Sequence, residues 1–145
     1  MRCAAGPAFA LMLLAGAAGA QQVTSAPGGV LRWLDKTTGE TADIELSRGQ
    51  AAVSGRLAIQ LDDCRYPTAD PPSDAYAHLT VVEQGRDTPV FSGWMLASSP
   101  ALSALEHPRY DVWVLRCATP DQPHLLEEPP ADPSQGEDIE APQEG

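Results

Sequence analysis

The chain has 145 residues, with 20 Asp and Glu against 9 Lys and Arg, and a net charge of −11 at pH 7. So acidic a chain, with no basic stripe, is a poor partner for nucleic acid or an anionic membrane surface. The charge is uneven: residues 118–145 hold eight acids and no Lys or Arg, whereas residues 30–117 hold twelve acids and eight basic residues.

Residues 1–20 read as a signal peptide. Arg2 supplies a short positive start, residues 4–18 are almost wholly apolar, and the run closes on Ala18-Gly19-Ala20, the small-residue pattern of a cleavage site. The stretch is short and rich in Ala and Gly, so it would span a bilayer poorly. The expectation is an exported, periplasmic protein with no stable membrane span after cleavage. Residues 21–29 then read as a linker, and residues 30–117 as one small β domain.

Within that domain the dominant period is two. Ala42, Ile44 and Leu46 alternate with Thr41, Asp43 and Glu45; Leu57, Ile59 and Leu61 share a face, as do Ala77, Leu79 and Val81. "YDVWVLRC" (110–117) is apolar on both faces, the pattern of a strand covered on two sides. Gly39, Gly49 and Gly85 mark turns between the runs, and "YPTADPPSD" is a longer loop. The predicted strands are 30–35, 40–46, 51–53, 56–64, 75–84, 88–96 and 110–117. This is an all-β fold, a small antiparallel β-sandwich or barrel of about six to seven strands. One short helical crossover is expected before the last strand. Ser99 would cap it, Pro100 occupies its first position, and Leu102 and Leu105 would share its buried face.

Cys3 leaves with the signal peptide, so Cys64 and Cys117 remain together in an oxidising compartment and are expected to form a disulfide. In the chain-entropy view, closing that loop contributes roughly 4 kcal/mol. His78, His107 and His124 are scattered, and Asp62, Asp63, Asp70 and Asp74 follow no calcium-loop spacing, so no metal or other cofactor is expected and these acids read as solvated charges. Ser98, Ser99 or Ser103 with His107 and Asp111 hold the residue types of a hydrolase triad, but no nucleophile-elbow motif accompanies them. The preferred reading has no catalytic residues: His107 and Asp111 brace a turn. Trp33, Trp94 and Trp113 are either core or a binding face, and core is preferred, with Trp113 buried and Trp94 at least half buried on a neighbouring strand. The tail, 118–145, is Pro-rich, acidic and free of aromatics, and reads as disordered; its "HLLEE" (124–128) is a candidate partner segment.

"FSGWMLASSPALSALEHPRYDVWVLRC" (91–117), with "LDKTTGET" (34–41), resembles the uncharacterised exported family of Gram-negative bacteria called domain of unknown function 2155. The typical family stretch has Phe where Leu96 stands and an apolar residue where Arg109 stands, and a Cys pair at the positions of Cys64 and Cys117 looks like the family pattern. The resemblance implies an envelope or periplasmic location and one compact domain; it supplies no activity or cofactor. The functional expectation is a non-enzymatic envelope protein that binds another envelope component, a protein or a glycan, through its sheet. A carbohydrate- or peptidoglycan-binding module is the alternative, and a serine hydrolase a remote one.

Overall fold

The computed structural model describes residues 19–122. The expected signal peptide, save for Gly19 and Ala20, and the tail beyond Gln122, including "HLLEE", lie outside the described residues. Among the described residues, eight strands form two antiparallel sheets. They are β1 (Val23–Ser25), β2 (Gly28–Asp35), β3 (Thr41–Ser47), β4 (Ala51–Ser54), β5 (Leu57–Pro67), β6 (Tyr76–Glu83), β7 (Phe91–Leu96) and β8 (Tyr110–Cys117). The larger sheet runs β1-β5-β6-β7, with β4 also on β5; the smaller runs β3-β2-β8. The count exceeds the expected six to seven because β1, and the first two residues of β2, occupy the stretch read as a linker.

The long strand β5 organises the molecule. One edge pairs with β6; the other pairs first with β4 and then with β1. Both of those short strands continue into the smaller sheet, β1 through Ala26-Pro27 into β2, and β4 back through residues 48–50 into β3. The corners are fastened to β5 by backbone bonds: Ala26 N–H donates to the Cys64 carbonyl (2.8 Å) and Gly49 N–H to the Leu61 carbonyl (2.6 Å). Gly49 has φ +86°, a conformation an L side chain rarely adopts. This side of the sandwich is therefore closed by the chain itself. On the other side β7 and β8 belong to different sheets, and residues 97–109 cross between them.

The period-two pattern places the core as expected. Leu57, Ile59, Leu61, Leu79, Val81 and Met95 from the larger sheet meet Leu31, Trp33, Leu46, Val112 and Val114 from the smaller. The crossover is a single 3-10 turn, Pro100–Ser103, in which Ser99 makes no capping side-chain bond. The backbone is already extended at Ala104, so Leu102 and Leu105 are not held at helical spacing: Leu102 is 77% exposed and Leu105 is buried. A second 3-10 turn, Pro71–Ser73, lies in the proline loop. The folded part also runs past its expected end, since Ala118 is buried against Val30 and its N–H donates to the Gly28 carbonyl.

Cys64 and Cys117 are bonded, with Cα atoms 5.8 Å apart, so β5 of one sheet is joined to β8 of the other. Cys64 does not end its strand; β5 continues three residues to Pro67. Gly29 packs directly against this link. A Cβ there would lie 2.9 Å from both the Arg116 carbonyl oxygen and the Cys64 sulfur. Gly29→Ala is therefore expected to destabilise by about 1–3 kcal/mol, the usual cost of overpacking a rigid site, read from the denaturant midpoint. Loss of either cysteine should cost about 2–5 kcal/mol. Without reductant, the intact mass should be two hydrogens below the dithiol, and alkylation of both thiols in unreduced protein would contradict the link.

Candidate functional site

The three tryptophans occupy three environments. Trp33 is core, 5% exposed. Its ring lies 5.5 Å from that of Tyr110. The β4–β5 turn covers both through Gly55, whose φ is +58° and where a Cβ would come within 2.9 Å of each ring. Trp113 corrects the expectation of a buried strand centre. Val112 and Val114 are buried, but Trp113 and Leu115 alternate with them on the outer face of the smaller sheet, partly exposed. Trp113 sits opposite Arg32, whose guanidinium is held by both oxygens of Asp43 (2.7 and 2.9 Å). Trp94 is not a neighbour of that strand at all. It lies on β7 of the larger sheet, on its outer face, and is 38% exposed.

Trp94 is the centre of a connected group. His78, directly across on β6, meets the indole edge-on with ring centroids 5.3 Å apart. The Arg65 guanidinium lies over the indole, 4.8 Å from its centroid. Arg65 Nε donates to Asp63 (2.8 Å), and the other Asp63 oxygen is 3.9 Å from Arg48. Asp62 Oδ2 lies 2.9 Å from His78 Nδ1 and accepts from the Thr80 hydroxyl (2.7 Å). So Asp62 and Asp63 are not free solvated charges. They stand together because β5 has a register shift between Leu61 and Asp63. An extra residue in one strand of an antiparallel pair interrupts the alternation and re-aims side chains; here it turns two consecutive carboxylates to the same outer face. The signal for it was present in the sequence. The core-facing residues run Leu57, Ile59, Leu61 and then Cys64, Tyr66, so the parity changes at Asp62-Asp63.

The hydrolase candidates do not assemble. His107 Nδ1 accepts from the backbone N–H groups of Arg109 and Tyr110 (both 3.1 Å), which puts the ring proton on Nε2, 3.4 Å from Glu83. Among the described residues no serine hydroxyl bonds to His107; Ser98 donates instead to Asp74 (2.7 Å). Asp111 faces outward opposite Leu34. The carboxylate bracing this turn is Asp35, which sequence reasoning missed. It is 3% exposed, accepts from Arg109 Nε and Nη2 (3.0 and 2.8 Å) and from the backbone N–H and hydroxyl of Thr37. The Arg109 hydrogen bonds, then those from Thr37, hold its carboxyl well below the usual range against the opposing effect of burial. Lys36 Nζ completes the joint by donating to the His107 carbonyl (2.6 Å). At Glu83, burial pushes the pKa up, but His107 and Arg86 outweigh it and the carboxyl is held below its ordinary value.

Residues 29–117 match the family model described as "Uncharacterized protein conserved in bacteria (DUF2155)". The chain is also similar to the uncharacterized protein RP359 of Rickettsia prowazekii (strain Madrid E), 35% identical over 88 residues, covering 58% of this chain and 56% of that relative. The chain thus spans just over half the length of this curated relative. No solved structure matches it.

Two outcomes follow from this geometry. Trp33→Ala is expected to cost about 3–5 kcal/mol, as large core truncations do, whereas Trp94→Ala and Trp113→Ala should each cost less than about 2 kcal/mol; chemical denaturation would rank them. The pH dependence has a definite sign. A carboxyl whose pKa is depressed by folding contributes stability above its unfolded value, and that contribution is lost as pH falls below about 4. Melting temperature should therefore fall on acidification through that window. Asp35→Asn should lower it at neutral pH and flatten its dependence on acid; an unchanged pH profile would show that this ion pair is not a source of the acid sensitivity.

Proposed function

The chain belongs to the DUF2155 family, and from that premise we propose that it is a non-enzymatic, exported protein of the bacterial envelope that binds another envelope component through the outer face of its larger sheet. The observation that carries this reading is Trp94: a large indole 38% exposed, set among Arg65, His78 and Tyr76 on a rigid sheet rather than on a loop. Trp, Tyr and Arg are the side chains most enriched among those that dominate binding energy. Surface exposure of so large an apolar ring costs the free protein solvation free energy that a partner would recover.

The disulfide supports export, since such bonds persist where the environment is oxidising. The apolar, Ala-rich start of the chain supports the same route. Among the described residues, no helix is long and apolar enough to cross a membrane. The non-enzymatic part rests on His107. One ring nitrogen is occupied by two backbone donors and the other faces Glu83, so the histidine has a structural task and no adjacent nucleophile.

A photo-crosslinking amino acid at Ser92, beside Trp94 on the same face, tests the reading in the native cell. The expected result is a discrete crosslinked product that disappears with Trp94→Ala and does not form when the crosslinker is placed at Thr41 on the smaller sheet. No product at Ser92, or equal products from both faces, would overturn it.

A further inference from the structure

Resting on that reading, we infer that the Trp94 platform takes a neutral glycan, lying as an extended strand across β5, β6 and β7. Three properties of the platform carry this. The first is charge. The fixed ions are two carboxylates, Asp62 and Asp63, and two guanidiniums, Arg48 and Arg65. They balance, so an anionic ligand meets the two carboxylates and a cationic one the two guanidiniums. Neither sign gains a net attraction, whereas an uncharged ligand meets no net repulsion, provided its own polar groups replace the water it displaces.

The second is hydrogen-bonding capacity. Asp62 Oδ2 is engaged by His78 and Thr80, which leaves Oδ1 to accept. Arg65 uses Nε on Asp63, which leaves its two terminal nitrogens to donate, and His78 uses Nδ1, which leaves Nε2. Gln60 and Ser92 flank Thr80 across the strands. Acceptors and donors thus share one sheet face with a single indole. A hydroxyl group donates and accepts at once, so a ring of hydroxyls satisfies such a rim where an aliphatic surface leaves it unpaired. The Arg65 guanidinium lies over part of the indole, so the polarised C–H bonds of a sugar would meet the exposed remainder of that electron-rich ring.

The third is shape. Four surface clefts among the described residues have linings that leave out Trp94, which stands on the open face of the sheet. A ligand on an open sheet face has little enclosure, and small ligands bind tightly only when most of their surface is covered. Affinity there must come from contacts repeated along an extended molecule, which selects an oligosaccharide over a single sugar. The outer face of the smaller sheet differs in its polar groups: Trp113 there has Leu34 and Leu115 beside it, and both Nε and Nη2 of Arg32 are held by Asp43.

The test is a titration of the disulfide-bonded protein with two soluble tetramers, β-1,4-linked N-acetylglucosamine and β-1,4-linked glucose, followed by amide and indole NMR shifts. The expected result is saturable binding of at least one, with shifts at His78, Thr80 and the Trp94 indole. Trp94→Ala should weaken it at least about tenfold, Asp62→Asn should weaken it while leaving the fold intact, and Trp113→Ala should leave it unchanged. Absence of saturable shifts with both tetramers at millimolar concentration overturns the inference, as does binding insensitive to Trp94→Ala. The Ser92 crosslink separates this from the broader reading. A protein product there sinks the glycan and keeps recognition by this face; no product and no sugar binding sinks both.

Discussion

The parity of β5 is the constraint on which the rest depends. Leu57, Ile59 and Leu61 fill the core at alternate positions, and strict alternation would send residues 63 and 65 inward after them. Yet the disulfide between the sheets must be made from inside, and its partner on β5 is Cys64. One extra residue in the strand reconciles the two demands. It brings Cys64 and Tyr66 to the core side, keeps Asp63 and Arg65 in solvent, and leaves Asp62 beside Asp63 on the outer face. A bulge is thus at once the condition for the disulfide and the origin of the paired carboxylates at Trp94. A charge turned inward at position 63 or 65 would cost far more than the ladder bonds lost at the bulge.

The same link explains why the start of β2 is glycine. The disulfide brings β8 and β5 together where β2 begins, and Gly29 lies in the gap, opposite Cys117 in register. Two backbones and a sulfur pair converge there, and no side chain fits. At the other end of the sandwich the joint is ionic. The β2–β3 turn, with Asp35 and Lys36, is fastened to residues 107–110 by Arg109 and by the His107 carbonyl. With Trp33, Tyr110 and Gly55 packed beneath it, this joint closes the end that the disulfide does not reach.

Much of this architecture was legible in the sequence, because period-two alternation reports which face of a strand is buried and cysteine pairing reports what can be joined. What was not legible depended on which layer covers which face. "YDVWVL" reads as covered on both sides, but its second apolar face, with Trp113 and Leu115, lies on the outer side of a three-stranded sheet over which no strand or helix of the described residues forms a further layer. The crossover expected to bury Leu102 and Leu105 on one helical face is one 3-10 turn at the side of the sandwich, and Leu102 points to solvent. Likewise His107 and Asp111 read as a bracing pair because they are close in sequence. The carboxylate that braces the turn, Asp35, is 74 residues from its Arg109 partner, a separation at which sequence spacing says nothing.

The Trp94 group, the proposed platform, lay hidden for a related reason. Its members come from the corner before β4 and from β5, β6 and β7, and each alone is an ordinary surface residue: an Arg, an Asp, a His between apolar neighbours. Only the register of three strands sets Asp63 opposite His78, and His78 opposite Trp94. Because that register is fixed by the parity shift that also orients Cys64, the platform inherits the rigidity of the disulfide-linked core rather than the mobility of a loop. A site so supported keeps its donors and acceptors in place before a ligand arrives, which lowers the ordering cost of binding on an otherwise open surface. Restoring strict alternation in β5 would rotate Cys64 away from Cys117 and separate Asp62 from Asp63 in the same step, so the stability of this domain and the geometry of its exposed face are set by one residue in one strand.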